Sequence, residues 1–351
     1  MLHYFSRLVA LSTAVLIFAG GLVTSTGSGL SVPDWPNTYG WFMLTFPLEK
    51  MVGGIFYEHS HRLIASTVGF LILVLAFWLG RVEPRRWVRR LGYVALAAVI
   101  VQGLLGGITV LWYLPDAISI SHASLAQVVF CLTTAIALFT SPGWKRGYRE
   151  RSVATAGGRR AGSAVPADHS FTASGVDDRL LRRVALATTV AVYVQIVVGA
   201  TMRHIDAGLA IPDFPLAFGQ LIPPHWNTGI AVHYAHRLGA AIVSALIIAT
   251  TAHVIYHHRR RRELMRPSLL LLALLTLQIT LGALTIWTQK HYIINSLHVV
   301  TGGSVLATSL VLTLRAHRRR FADAAARAAD ETDLRNARAL ADRRGPAGAR
   351  A

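Results

Sequence analysis

Apolar residues run almost unbroken through eight stretches of the chain, separated by segments that are basic, polar or rich in Gly and Pro. Their cores are residues 8–24, 52–79, 91–111, 118–140, 184–201, 230–256, 269–287 and 293–314. A helix rises about 1.5 Å per residue and needs roughly 20 residues to cross some 30 Å of hydrocarbon, so each run predicts one membrane span. The first run has the position of a signal peptide, but residues 24–30 offer no small-residue cleavage site and the run has a counterpart in the second half.

Composition agrees with that pattern. At 351 residues, 53% hydrophobic and only 15% charged, the chain is no ordinary soluble domain. A net charge of +18 would suit nucleic acid if the basic residues shared one folded face. They lie between the apolar runs instead, so the expected partner is the lipid bilayer and no nucleic acid. Segments 81–90, 145–183, 259–266 and 315–350 hold 5, 9, 5 and 10 Lys or Arg, and with Arg7 these make 30 of the 35. Positive charge stays on the cytoplasmic side. The reading is therefore a multi-pass protein of the bacterial cytoplasmic membrane with both termini cytoplasmic. The single cysteine, Cys131, lies within an apolar run and excludes an intramolecular disulfide or a cysteine-based metal cluster.

The eight runs form two copies of four. Pro33-Asp34-Trp35-Pro36 aligns with Pro212-Asp213-Phe214-Pro215 at an offset of 179, and His61 with His236 at 175. Gln102, Gly106, Thr109 and His122 align with Gln278, Gly282, Thr285 and His298 at 176. Four spans per copy give both copies the same orientation, a parallel repeat. The expected fold is thus an all-α integral membrane protein of eight transmembrane helices in two parallel, pseudo-twofold four-helix bundles. Residues 1–141 form the first half, 142–180 a flexible cytoplasmic linker, 181–315 the second half and 316–351 a basic cytoplasmic tail.

Chemistry concentrates at Glu58-His59-Ser60-His61-Arg62 and at its echo, His233-Tyr234-Ala235-His236-Arg237. Ionisable groups within membrane spans are costly and usually functional. His61, His122, His236 and His298 stand at repeat-equivalent positions about one bilayer core from the cytoplasmic end of their runs, hence near the outer boundary. Two imidazoles facing each other across a four-helix bundle suit the axial positions of a haem iron. A single such histidine would equally serve as an interhelical hydrogen bonder, and bare zinc would want more ligands than two per half. Arg62 and Arg237 either hold a haem propionate or snorkel to water and lipid phosphate. Glu58, replaced by His233 in the second copy, shares a helix face with His61, which makes it a candidate for moving protons at a reactive first site; a plain capping or pairing role is the alternative.

The outer loops around Trp35 and Phe214 either cover these sites or are simple turns. Gln102 and Gln278 read as interhelical hydrogen bonders. His59, His204, His225 and His291 lie in or near outer loops and are expected to be solvated. His253, His257, His258 and His317 sit beside arginines at the cytoplasmic face, and none of these eight is expected to ligate.

Taken together, the Glu-His-Ser-His-Arg motif, His122, His236-Arg237 and His298, set in two parallel four-helix repeats, resemble the heme A synthase family over roughly residues 8–314. The resemblance implies a membrane haem-dependent oxidoreductase that oxidises the C8 methyl of haem O to the formyl of haem A for cytochrome oxidase. It further implies that His236, His298 and Arg237 hold a haem B cofactor, that His61, His122 and Arg62 bind the substrate haem, and that Glu58 is catalytic. Haem O synthase, an electron donor and a second copy of the chain are the implied candidate partners. Many bacterial members carry a cysteine pair in the loop before the glutamate; this chain has none there and resembles the cysteine-free branch. Two other readings stand beside it: a dihaem b-type cytochrome that only transfers electrons, for which haem ligands near both faces would be expected, and a haem-handling transporter, which leaves Glu58 without a role.

Overall fold

A computed structural model describes residues 1–145 and 178–318. Among the described residues are eight long helices: α1 (Leu2–Ser25), α2 (Gly54–Val82), α3 (Arg86–Leu111), α4 (Asp116–Thr140), α5 (Arg179–His204), α6 (Thr228–His258), α7 (Arg262–Trp287) and α8 (Tyr292–Ala316). All eight are long and apolar enough to span a bilayer, so the chain is an all-α, multi-pass membrane protein. Most of the expected linker (142–180) and tail (316–351) lies outside the described residues.

The helices outrun the apolar stretches that announced them, chiefly at their basic ends. α3, α5 and α7 begin on Arg86, Arg179 and Arg262, several residues before their apolar cores. A long cationic side chain can reach water while its backbone stays in the helical ladder, so the polar boundary and the helix boundary need not coincide.

Packing follows the chain order. α1, α2, α3 and α4 close a ring of neighbours, each touching the next and α4 returning to α1, and α5, α6, α7 and α8 do the same. α1 packs on α8, and α4 on both α5 and α8, which joins the rings along a broad seam. Ile17, Phe130 and Ala307 form an apolar cluster with Ala14, Val299 and Val300, which brings together α1, α4 and α8. Toward one end of this seam the contacts become polar. Arg203 on α5 donates to the Gly21 carbonyl (2.8 Å) and to Ser25 Oγ (2.7 Å) of α1. Ser25 also meets Ser296 Oγ and accepts from Asn295 of α8. At the opposite end Glu83, just past α2, pairs with Arg85 at 2.6 Å, and Arg85 in turn donates to the Phe139 carbonyl of α4.

The seam depends on a small residue. A Cβ on Gly21 would stand 3.1 Å from Ser296 Cβ and 3.2 Å from its Cα. Gly21→Val is therefore expected to lower stability by about 1–3 kcal/mol by wedging α1 off α8. Gly103→Val, at a glycine with nothing within 4 Å, should leave that seam intact. Thermal denaturation of the purified protein in detergent, read as loss of monodisperse material, distinguishes the two.

Candidate functional site

The four expected histidines gather at one end of the molecule. His61, His122, His236 and His298 each fall within the first three turns of α2, α4, α6 and α8, which all start at that end. In each ring of helices the two histidine-bearing members are not packing neighbours but stand at opposite corners. His61 and His122 lie within electrostatic range of each other, and so do His236 and His298.

Every one of the four rings leans on a glycine of an adjacent helix. A Cβ would stand 3.1 Å from His61 Cε1 on Gly20, 3.1 Å from His122 Cε1 on Gly106, 2.9 Å from His236 Cε1 on Gly199 and 3.2 Å from His298 Cε1 on Gly282. The glycines themselves repeat, Gly20 with Gly199 and Gly106 with Gly282. A bare backbone lets the flat of a neighbouring helix support each imidazole and leaves the rest of the ring turned elsewhere.

The ring nitrogens are sparingly used. Nδ1 of His61, His122 and His298 is buried without a hydrogen-bond partner, and among the described residues His61 makes no side-chain hydrogen bond. Gln102 Nε2 donates to the His122 carbonyl at 2.9 Å and approaches His122 Nε2 only at 3.4 Å. Gln278 Nε2 comes within 3.3 Å of His298 Nε2. These glutamines thus address the histidines themselves. His236 is held more firmly, with Gln195 Nε2 at 3.0 Å from Nδ1 and 2.7 Å from the His236 carbonyl oxygen. Gln195 escaped the sequence reading because its repeat partner is Leu16, an apolar residue that gives no signal. Half-buried imidazoles, three of them with a buried Nδ1 that no protein group claims, paired across a bundle, are a donor set that fits an iron porphyrin.

Glu58 is buried, as is its counterpart His233. Glu58 Oε2 accepts from the Val32 backbone N–H at 2.8 Å and Oε1 from Arg62 at 2.6 Å. His233 Nδ1 accepts from the Ile211 N–H at 3.2 Å. Val32 and Ile211 are repeat equivalents, so both side chains hold the same point of the loop after the first helix of their half. The two arginines complete that hold. Arg62 donates to the carbonyls of Val32, Asp34 and Asn37, and Arg237 to those of Ile211, Asp213 and Leu216. Arg237 keeps a buried Nε without a partner and lies over the Phe214 ring at 5.8 Å. In both copies the guanidinium is thus a loop clamp rather than a side chain snorkelling to water.

The loops match in detail as well. The Trp35-Pro36 and Phe214-Pro215 peptide bonds are both cis. Asp34 accepts from the N–H groups of Tyr39 (2.7 Å) and Gly40 (2.8 Å), and Asp213 from those of Phe218 (2.7 Å) and Gly219 (2.8 Å). Trp35 lies flat against α3, where a Cβ on Gly107 would stand 2.6 Å from the indole ring. Gly107 directly follows the glycine that supports His122, so the loop packs on α3 at the level of that support. His59, expected to be solvated, is buried: its Nδ1 meets Thr38 Oγ1 at 3.1 Å and its ring packs on Phe46. Its i, i+2 spacing from His61 turns it off the ligand face and under the loop.

Burial pushes the Asp34 carboxyl up, but hydrogen bonds from the Gly40 and Tyr39 N–H groups and its own backbone N–H, with the charge of Arg62, together bring it below the ordinary 3.8. A depressed carboxylate contributes stability above its unfolded value and loses it as pH falls through the folded one. Protection of residues 37–42 against hydrogen exchange, corrected for intrinsic rates, is therefore expected at pH 6 and lost well below pH 3.8. Asp34→Ala should be unprotected at both.

Known proteins give this geometry a context. The family model described as COX15-CtaA, cytochrome oxidase assembly protein, matches residues 3–311. The chain is 27% identical over 327 residues to a heme A synthase of Geobacillus kaustophilus, covering 90% of this chain and 93% of that one. It is 29% identical over 317 residues to a heme A synthase of Symbiobacterium thermophilum, with 88% and 95% covered. A heme A synthase of Staphylococcus carnosus is 28% identical over 330 residues, with 90% and 95% covered. The match over nearly the whole spanning region, on a fold with the paired histidines in place, means that the chain belongs to the COX15-CtaA family of cytochrome oxidase assembly proteins.

Proposed function

We propose that this protein is a heme A synthase, a membrane oxidoreductase that converts the C8 methyl group of haem O into the formyl group of haem A for cytochrome oxidase. The observation that carries the reading is the set of four repeat-equivalent imidazoles, each resting on a helix glycine and paired across its own ring of helices. Family membership and the names of the relatives support it. All four histidines lie at one end, an arrangement that favours two haems at equal depth over the electron-transfer cytochrome, which needs ligands near both faces.

In this reading residues 1–141 carry the substrate site and residues 181–315 a resident haem B. His236 and His298 are the haem B ligands, and His61 and His122 bind the substrate haem. The difference in support fits those roles. Gln195 clasps His236, as suits a ligand that keeps its partner, whereas Leu16 leaves His61 without an amide, as suits one whose partner comes and goes. Haem iron, when bound, supplies the redox chemistry that oxidises the methyl carbon, with electrons from an external donor. The protein's own part is to bind, orient and enclose. Arg62 and Arg237 fix the covering loops, and the free Nε of Arg237 offers a donor to an anionic propionate. Trp35, flat on α3, keeps water from the first site. Glu58 holds the loop through Val32 and adds a carboxylate where the second half has an imidazole, a group able to take up and release protons at the substrate site. The basic ends of the helices, both termini and the segment between the halves face the cytoplasm, so both haem sites lie toward the outer leaflet. Haem O synthase is the natural supplier of the substrate, and a second copy of the chain is a further candidate partner.

Glu58 has two separable duties, and substitution tells them apart. In cells co-expressing a haem O synthase, wild-type protein should yield haem A, identified by mass in pigment extracts. Glu58→His copies the second half and preserves the loop clamp, and Glu58→Gln preserves shape. Both are expected to retain haem and to lose about 10²–10⁴-fold in conversion, the usual range for a general acid or base. Wild-type activity in Glu58→His would reduce Glu58 to a clamp, and haem B alone in wild-type extracts would sink the enzyme reading. Separately, His298→Ala purified in detergent should lose the resident haem absorption, whereas His61→Ala should keep it and lose haem O binding.

A further inference from the structure

A second cluster of ligating groups lies at the opposite end of the helices from the four paired histidines. Asp178 caps α5, and its Oδ1 accepts from the Leu181 N–H at 2.9 Å. That bond leaves Oδ2 aimed at α6, where His253 Nε2 lies 2.7 Å and His258 Nε2 3.0 Å away. The three atoms all fall within 4.8 Å of one another. The side chains are largely sheltered, with 20% of Asp178, 17% of His253 and 14% of His258 exposed. We propose that Asp178, His253 and His258 form a zinc(II) site, with water completing four-coordination.

The ligand set excludes the hard alkaline-earth ions. Two imidazole nitrogens and one carboxylate oxygen are a usual three-ligand complement for zinc, whereas magnesium and calcium prefer all-oxygen shells with more carboxylates. Arg179, Arg182 and Arg183 follow Asp178 in sequence, and Arg259, Arg260 and Arg261 follow His258, so binding of a dication here has to rest on metal–imidazole bonds rather than on net negative charge. The geometry is prepared before any ion arrives. The helix cap fixes the carboxylate through its other oxygen, which is how outer partners orient a metal ligand. His258 is the last residue of α6 and reaches the same oxygen as His253 from the helix terminus. Binding would displace the protons that now bridge these atoms and would clasp the start of α5 to the end of α6, where the chain enters its second half.

The alternative is a hydrogen-bonded clasp with no ion, and the test separates them. Full-length, haem-loaded protein in detergent, treated with EDTA and desalted, is titrated with zinc against a chromophoric chelator, and with cobalt(II) to read the visible bands of a four-coordinate ion. Wild type should take up about one equivalent. Asp178→Ser retains an oxygen at the helix cap, so it should fold yet bind at least about 100-fold more weakly, beyond the 10–100-fold that loss of an outer partner causes. His253→Ala with His258→Ala should abolish uptake, and His257→Ala, at an exposed neighbour outside the cluster, should bind as wild type does. Retained haem absorption reports that each variant is folded. No uptake by wild type at micromolar zinc, or equal uptake in the double variant, would overturn the assignment.

Discussion

Everything at the paired-histidine end depends on how closely one helix can approach the imidazole of the next. An imidazole inside a membrane protein needs a fixed orientation, yet the nitrogen meant for a ligand must not be spent on holding it. One ring nitrogen can be hydrogen-bonded while the other stays free, as Gln195 shows at His236 Nδ1, but His61 has no such partner. Contact with bare backbone supports all four rings: Gly20, Gly106, Gly199 and Gly282 each let the neighbouring helix press against the ring at Cε1. Small residues at helix contacts are the general means by which membrane helices pack without a hydrophobic driving force. Here the same device sets the orientation of four side chains. The remaining architecture, two rings of helices with the histidines at opposite corners, keeps those supported rings facing inward.

The two halves show which parts of that arrangement tolerate change. The loop clamp is reproduced bond for bond, with Arg62 and Arg237 reaching the carbonyls of three equivalent residues in each loop. A folded loop over a membrane site has many backbone groups to satisfy, and a guanidinium with five donors can satisfy several carbonyls at once. The side chain that accepts the Val32 or Ile211 N–H is less constrained, because a carboxylate at 2.8 Å and an imidazole at 3.2 Å both accept that bond. Divergence has entered at that position, and it is where the proposed chemistry differs between the halves. Trp35 beside Gly107 and Phe214 with Ala283 at the equivalent position follow the same logic, since the larger ring requires the smaller helix residue.

Most of the fold was legible because its signals are long and redundant. Eight apolar runs, a basic residue count that alternates between loops, and a repeat at offsets of 175 to 179 each point to the same eight helices. The paired histidines were legible for the same reason, being marked by both the repeat and their depth. What stayed hidden depended on single contacts between distant residues. Gln195 has no echo in the first half, and His59 looks like any loop-side histidine until Thr38 and Phe46 close over it. Asp178 lay within what composition marked as a linker, so nothing along the chain connected it to His253 and His258, 75 and 80 positions away.

The proposed arrangement of two haems side by side also bears on how the halves meet. Near the histidine end the seam between them is polar: Arg203 of α5 reaches the Gly21 carbonyl and Ser25 of α1, and Ser25 in turn meets Asn295 and Ser296 of α8. Such contacts are directional and specify register, whereas the Ile17, Phe130 and Ala307 cluster along the same seam only requires apolar surfaces to meet. The repeat equivalent of Arg203 is Thr24, so the first half carries no arginine at this position. The contact ties α5 of the second half to α1 of the first, one residue from Gly20, which supports His61. Under the proposed roles, the polar joint between the halves therefore lies one residue from the glycine that supports the substrate-side histidine.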